Sequence, residues 1–379
     1  MGGVPRPEGR WTFIVKLVIQ NTSSVWGGNE KWLANVAAGL VARGHDVVVS
    51  CKRGPVQDGL RARGVRTTNF RPRGSIDAAS GLSFAAWLTR HKPDVLLLTS
   101  WHAISWSTWA ARVAKIPRVV LRQGIVRDFP PGGARSRALR SVNTLIANSD
   151  EIKDNWNRTA PPNLKWRVKV VMNGIHTRAH DRTAARAKLR SELRLADSTL
   201  LIGGAGHLFP RKGFDYLLRA FAAAAIPDSH LAIAGDGDHL SELERLAAQL
   251  GVADRTHWLG HRENGPEIIA GLDLFVLSSH NEGMANVMLE AMAGGAPVIA
   301  SDISGVRKAI GAVEDRPAAG WIVPPADDAA LSSALARVAG LIREANDEVD
   351  ARAREAHWRI DNWFTMDRMI DQCEAILFP

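Results

Sequence analysis

Apolar positions along the chain fall into short continuous runs separated by stretches of helical period. Residues 11–19 (WTFIVKLVI) read as a buried strand, and a Gly-Gly loop, NTSSVWGGNEKW, follows. Residues 30–43 place apolar side chains at helical spacing until Gly44, and 45–50 read as a second strand. Further strands are predicted at 94–98, 119–121 and 145–148, with a helix over about 105–115. The second half repeats the scheme, with strands at 200–204, 231–234, 256–259, 273–277 and 297–300. Its helices fit 214–225, 240–250, 287–293 and 329–343. Runs that are apolar throughout predict strands buried on both faces, as in a parallel sheet covered by helices. Two such series predict an α/β protein of two doubly wound domains, with ligands at the carboxyl ends of the strands.

Length and charge sharpen this picture. At 379 residues the chain exceeds one ordinary core. A hydrophobic fraction of 46% and a charged fraction of 23% are those of a globular protein. No apolar run approaches the length that spans a bilayer, and MGGVPRPEGRW lacks the basic-then-apolar order of a signal peptide. Cys51 and Cys373 form neither a metal spacing nor a disulfide framework, so a reducing cytoplasm is the expected compartment. The net charge of +9 divides unevenly: residues 1–178 carry +18 and the remainder −9. The expected domains are therefore 1–178 and 179–357. A tail helix over about 358–379, with Trp358, Trp363, Phe364, Met366 and Met369, is expected to pack on the first domain. The basic half points to an anionic partner: nucleic acid, a lipid surface or a phosphorylated glycan.

Three motifs follow predicted strands. In HNEGMANVMLEAMAGGAPVIAS (280–301), Glu282 and Glu290 are separated by seven residues. The small-residue turn between them opens a helix whose amides and dipole suit an anion. Glu290 is placed to accept hydrogen bonds from a pair of ribose hydroxyls, and Glu282 from a sugar hydroxyl. A plain helix cap and a solvated carboxylate remain the alternative. In AGHLFPRKGFDYLLRAFA (205–222), His207, Arg211 and Lys212 precede a helix. Departure of a diphosphate needs cations or a metal, and no trusted acidic pair offers a metal site; Asp236-Gly237-Asp238 reads as loop-shaping. Trp26-Gly27-Gly28-Asn29 permits close backbone approach but is not a dinucleotide fingerprint, which disfavours a nicotinamide enzyme.

Together and in this order, these motifs resemble the retaining glycosyltransferases of family 4, with their two-Rossmann GT-B architecture. GGNEKWLANVAAGLVARGHDVVV, ANSDEIKDNW, VMNGIHT, GHLFPRKGFDYLLRAFA, AIAGDGDHLSEL and EGMANVMLEAMAGGAPVIASDISGVRKAI carry the likeness. The resemblance implies that Glu282 contacts the donor sugar and Glu290 the donor ribose. Lys212 would bind the diphosphate, with Arg211 beside it. The amides of Gly283, Met284, Ala285, Asn286 and Val287 would cradle the phosphate, and Gly27 and Gly28 would close over it. It further implies transfer with retained configuration, a nucleotide-sugar as co-substrate, and no metal or other cofactor. Two positions depart from the family pattern. His207 stands where Arg is common, and Gln123 where many members have a His. Gln123, His102 and Trp101 are the acceptor-side candidates.

The expected activity is thus transfer of a sugar from a nucleotide-sugar to a glycan or lipid-linked acceptor. An epimerase or hydrolase of the same architecture is the alternative among enzymes. A nucleic-acid-binding protein is the alternative from another class, disfavoured because the basic residues are spread over loops. Arg61, Arg63, Arg66, Arg71 and Arg73 form one basic stretch, and Arg122, Arg127, Arg135, Arg137 and Arg140 another. They predict electrostatic, peripheral contact with an anionic membrane at its inner face, without apolar insertion.

Overall fold

The computed structural model describes residues 4–5, 11–12, 14–69, 78–176 and 181–379. Arg71, Arg73 and the boundary expected at 178 lie outside them. Two-residue strands β1 (Val4–Pro5) and β2 (Trp11–Thr12) pair antiparallel. The apolar run at 11–19 is therefore not one strand: Ile14 is 56% exposed, and burial begins only at Leu17.

Seven strands then form a parallel sheet. They are β3 (Lys16–Gln20), β4 (Asp46–Cys51), β5 (Arg66–Asn69), β6 (Val95–Leu98), β7 (Arg118–Gln123), β8 (Thr144–Ala147) and β9 (Val168–Val170), in the order β5-β4-β3-β6-β7-β8-β9. Alternate side chains enter opposite layers, as the pleat requires. Leu17, Ile19, Val95 and Leu97 join one core, while Val18, Leu96 and Leu98 join the other. Six more strands form a second parallel sheet: β10 (Leu200–Ala205), β11 (Ser229–Ala234), β12 (Thr256–Gly260), β13 (Leu274–Leu277), β14 (Val298–Ser301) and β15 (Trp321–Val323). Their order is β12-β11-β10-β13-β14-β15. Each sheet with its helices is a Rossmann-like domain. The order turns back between β3 and β6 in the first and between β10 and β13 in the second. At such switch points the loops leaving adjacent strands part, and a ligand gains access to both.

The chain divides into one unit of residues 1–173 and 366–379 and another of 174–365. The expected tail helix is two helices, Asp347–Trp363 and Met366–Leu377, broken at Phe364-Thr365. Trp358 and Trp363 stay with the second unit, where Arg316 stacks on Trp358 at 3.6 Å. Met366, Met369, Ile370, Cys373 and Leu377 enter a core of the first unit. There Ile370 occupies the space that a Cβ on Gly39 would need. Arg43 pairs with Asp371 and Glu374, and His45 Nε2 lies 2.8 Å from Glu374 Oε1. Burial alone would raise the Glu374 carboxyl. The hydrogen bonds from His45 and Arg43 outweigh it and hold the group below its ordinary range. Among the described residues no helix is long and apolar enough to cross a membrane.

A buried ion cluster ties the second sheet to the helix Arg182–Leu193. Asp273 pairs with Arg190 and with Arg186 Nε at 2.6 Å, and accepts from Leu201 N at 2.7 Å. Asp273 and Arg190 side chains are 3% and 2% exposed. Removing one member of such a pair strands a buried charge, at about 3–5 kcal/mol. Asp273→Ala should therefore lower the hydrogen-exchange protection of β10 and β13 by an amount in that range. A loss under about 1 kcal/mol would show the cluster to be solvated like a surface pair.

Candidate active site

In the second unit, the loop after β10 and the loop after β13 are laced together by backbone. Gly213 has a φ of +65°, and a Cβ there would overlap the carbonyl oxygen of Ser278. Only glycine lets the Pro210–Lys212 turn lie so close to the end of β13. His280 N then donates to Arg211 O at 2.9 Å, and Ser278 Oγ to Lys212 O at 3.1 Å. The consequence is an ion pair between Lys212 Nζ and Glu282 Oε1, with both side chains 13% exposed. Ser279 Oγ donates to the same carboxylate oxygen at 3.1 Å. Arg211 is half-exposed; its Nη1 lies 3.5 Å from Asn281 O and 4.0 Å from Glu282 Oε2. The spacing of residues suggests neither the pairing of Lys212 with Glu282 nor the part played by Ser279.

The turn after Glu282 is held from below. Gly305 has a φ of +79°, and a Cβ there would lie 2.6 Å from Gly283 O. Gly283, Met284 and Ala285 are buried, and Asn286 and Val287 half-buried. The helix Asn286–Ala293 starts without a side-chain cap; Met288 N donates to Ala285 O at 3.2 Å, and the helix dipole adds positive potential at this first turn. Glu290, half-buried, follows one turn later. His207 Nδ1 lies 3.3 Å from Asp236 Oδ1, and its ring stacks on Phe209. Asp236-Gly237-Asp238 shapes the neighbouring loop: Leu208 N donates to Asp236 O at 2.7 Å, and Gly237, at φ +155°, admits Leu208 O.

In the first unit, Gly27 caps the helix Gly28–Ala42, and its N–H donates to Glu30 Oε2 at 3.2 Å. That amide is therefore committed, and the amides of the first helical turn are those left for a ligand. Trp101 and His102 follow β6, and Gln123 ends the adjacent β7. Trp101 is half-buried, with Arg127 over its ring at 5.6 Å, and His102 is exposed. Gln123 is 4% exposed. Its Nε2 donates to Ile125 O at 3.2 Å, and its Oε1 has no partner among the described residues.

The basic stretches are not all surface charge. Arg66 pairs with Asp46, Arg61 Nε donates to Thr67 Oγ1, and Arg63 lies over Trp26. Arg122 is buried, because its guanidinium packs on Trp32. Arg135, Arg137 and Arg140 are exposed, on the helix Gly133–Arg140.

If the close approach at Gly213 organises the site, Gly213→Ala and Gly260→Ala should differ. Both glycines have left-handed φ, +65° and +64°, but nothing lies near a Cβ at Gly260. Gly260→Ala should cost about 1–2 kcal/mol for backbone conformation. Gly213→Ala should cost clearly more, because Ser278 must also move. Equal losses in denaturant unfolding would show that the approach is slack.

A family model described as glycosyltransferase family 4 matches residues 26–179, and one described as glycosyl transferases group 1 matches residues 185–355. The lipopolysaccharide core biosynthesis glycosyltransferase LpsE of Rhizobium meliloti is 28% identical over 283 residues, covering 74% of this chain and 77% of that one. A D-inositol 3-phosphate glycosyltransferase of Saccharomonospora viridis is 29% identical over 305 residues, covering 75% of this chain and 66% of that one. The crystal structure of Anabaena HepE in complex with UDP-glucose superposes with a TM-score of 0.81 at 21% identity, covering 96% and 99% of the two chains. The chain belongs to the GT-B glycosyltransferases of the family 4, group 1 type.

Proposed function

We propose that the protein transfers a sugar from a nucleotide-sugar with retained configuration and without a metal, to a lipid-linked or phosphorylated glycan. The Lys212–Glu282 pair at the β10–β13 switch point carries this reading. A lysine ammonium has three N–H donors. One serves Glu282, and others remain for a diphosphate oxygen. Arg211 and the first amides of the Asn286–Ala293 helix add positive potential on the same side. Glu282 Oε1 is engaged by Lys212 and Ser279, so Oε2 is the oxygen left to accept from a donor-sugar hydroxyl. Glu290 holds the ribose hydroxyls. As the bond from the anomeric carbon to the phosphate oxygen breaks, the acceptor oxygen bonds to that carbon on the same face. The acceptor's proton passes to the departing phosphate. Cations and amides stabilise the charge that develops there, the function a metal serves elsewhere.

The first unit and the relatives support this acceptor class. LpsE is named for lipopolysaccharide core biosynthesis. The helices Ala78–His91, Ile104–Val113 and Gly133–Arg140 pack side by side and contain no Asp or Glu. They expose Arg90, Arg112, Arg135, Arg137 and Arg140. They also expose Leu82, Trp109 and Val113, at 60%, 39% and 51%. Cations interspersed with apolar side chains suit the anionic interface of a bilayer. In this reading the contact has an apolar part beside the electrostatic one and lies at the inner face of the membrane.

UDP-, GDP-, ADP- and TDP-sugars should be compared by thermal shift. The matching donor, at about 100 times its dissociation constant, should add about 2.7 kcal/mol of stability. Turnover with that donor should survive EDTA. Glu290→Ala should weaken nucleoside diphosphate binding by roughly 1.5–3 kcal/mol, the worth of charge-assisted hydrogen bonds. Unchanged affinity would remove Glu290 from the ribose, and activity lost in EDTA and restored by manganese would overturn the metal-free mechanism.

The membrane reading predicts co-sedimentation with anionic vesicles at low salt and release at high salt, since exposed charges are screened beyond about 10 Å at roughly 0.1 M. Replacing Arg135, Arg137 and Arg140 with Ser should weaken vesicle binding and leave donor affinity intact. Indifference to anionic vesicles at low salt would contradict it.

A further inference from the structure

The second sheet ends at β15, and a cleft of about 610 Å³ opens beside that edge strand. It lies wholly within the second unit and takes in no residue of the loops after β10 and β13. Its floor is apolar. Val313 comes from the segment before β15, Ile322 from β15 itself, and Ala334 and Val338 from the helix Asp328–Arg343. Val313, Ile322 and Ala334 are only half-buried, so apolar surface there stays in water. Arg307, Arg337 and Arg352 also line the cleft, and no Asp or Glu does.

The three guanidiniums are not alike. Arg352 is fixed: it lies over the Trp321 ring at 4.6 Å, donates from Nη1 to Gly320 O, and donates from Nε to Glu348 Oε1 at 3.0 Å. Burial alone would raise the Glu348 carboxyl. The hydrogen bond and charge of Arg352, with the charge of Arg337, outweigh it and hold the group below its ordinary range. Arg337 reaches that carboxylate only at 3.3 Å and 3.4 Å, longer than the roughly 2.7–2.9 Å of a charge-assisted bond. Arg307 pairs with Asp302. Arg337 and Arg307 each meet their carboxylate through Nη2 alone, and their side chains are 62% and 70% exposed. A guanidinium carries five N–H donors in a planar fork, so most of each fork is open to a ligand. Glu314, on the neighbouring loop, lies beside Lys308 at 3.8 Å instead. Asp302 and Glu348 thus answer three guanidiniums, which leaves the cleft positive.

We propose that this cleft is a second ligand site, for a small amphipathic anion: a carboxylate or phosphate head at the guanidiniums of Arg307 and Arg337, and an apolar body over Val313, Ile322 and Val338. A head alone would leave the floor in water, and a neutral chain would leave the guanidiniums unanswered. A cleft of this size, apolar with a few charged groups that orient the ligand, is the form small-molecule sites take. An added peptide strand does not fit, because β15 offers only three residues of edge. The proposal stands apart from the donor reading.

Octyl phosphate and octanoate serve as probes, with octanol and inorganic phosphate as controls, each titrated into the whole protein by calorimetry and followed by hydrogen exchange. Octyl phosphate or octanoate should bind saturably and slow exchange in segments 311–323 and 334–338; the one that does so at the lower concentration names the head. Octanol and inorganic phosphate should leave both segments unchanged at the same concentration. The double variant Arg307→Ser, Arg337→Ser should weaken binding at least tenfold, the loss of a charge-assisted hydrogen bond. Ala334→Phe, which fills the floor and leaves the charges in place, should remove the protection as well. Should Ala334→Phe not fold, the arginine variant carries the test, since both of its positions are exposed. Protection by neither probe would overturn the proposal. So would protection as strong from octanol, which needs no cation, or from inorganic phosphate, which needs no floor, or protection that persists in the double variant. Nucleoside diphosphate affinity should be unchanged in the double variant, so a failure here leaves the donor reading untouched.

Discussion

The candidate site depends on one contact that involves no side chain. The Ser278 carbonyl oxygen occupies the space that a Cβ at position 213 would need. Because residue 213 is glycine in a left-handed conformation, the loop after β10 can rest against the end of β13. From that approach follow the hydrogen bonds of His280 N and Ser278 Oγ, and then the meeting of Lys212 with Glu282. The same device recurs around it. Gly235 admits the backbone of Gly206, Gly237 that of Leu208, and Gly305 that of Gly283, all with positive φ. A set of strand-end loops pressed together by glycine is rigid without bulk. That is what close approach of a phosphate to peptide N–H groups requires.

In the first unit the turn after β3 is held by polar side chains instead. Glu30, Asn21, Thr99, Asn29 and Arg122 form a buried network under the turn after β3. Buried polar networks are costly unless satisfied, and once satisfied they fix one geometry. Gln123 Oε1 and Arg122 Nε remain without partners among the described residues at the end of β7.

Much of the architecture was legible in the chain. β6 (VLLL) and β13 (LFVL) are buried along their whole length, so a continuous apolar run was a sound sign of a central parallel strand. β5 (RTTN) has no apolar residue and ends a sheet, so nothing in the hydrophobic pattern marks it; β9 and β15 are only three residues long, too short for a run to stand out. The helix Asp150–Thr159 was hidden for another reason: only Ile152 and Trp156 bury apolar side chains. The tail read as one helix because apolar spacing continues across Phe364-Thr365, where the backbone turns. At the site, glycines and cations after strands identified the loops. The pairing of Lys212 with Glu282, 70 residues apart, depended on β10 and β13 being neighbours. Arg122 looked like one more surface charge, since a single sequence does not show that Trp32 and Asn29 enclose it.

The central claim is that one lysine serves both carboxylate and diphosphate at the β10–β13 switch point. A crystal structure of the protein with a nucleoside diphosphate tests it most directly. The account predicts a phosphate oxygen within about 2.7–2.9 Å of Lys212 Nζ, with Glu282 still beside that nitrogen and the first amides of the Asn286–Ala293 helix facing the same phosphate. A diphosphate bound away from Lys212, with the Lys212–Glu282 pair undisturbed and remote from it, would contradict the account.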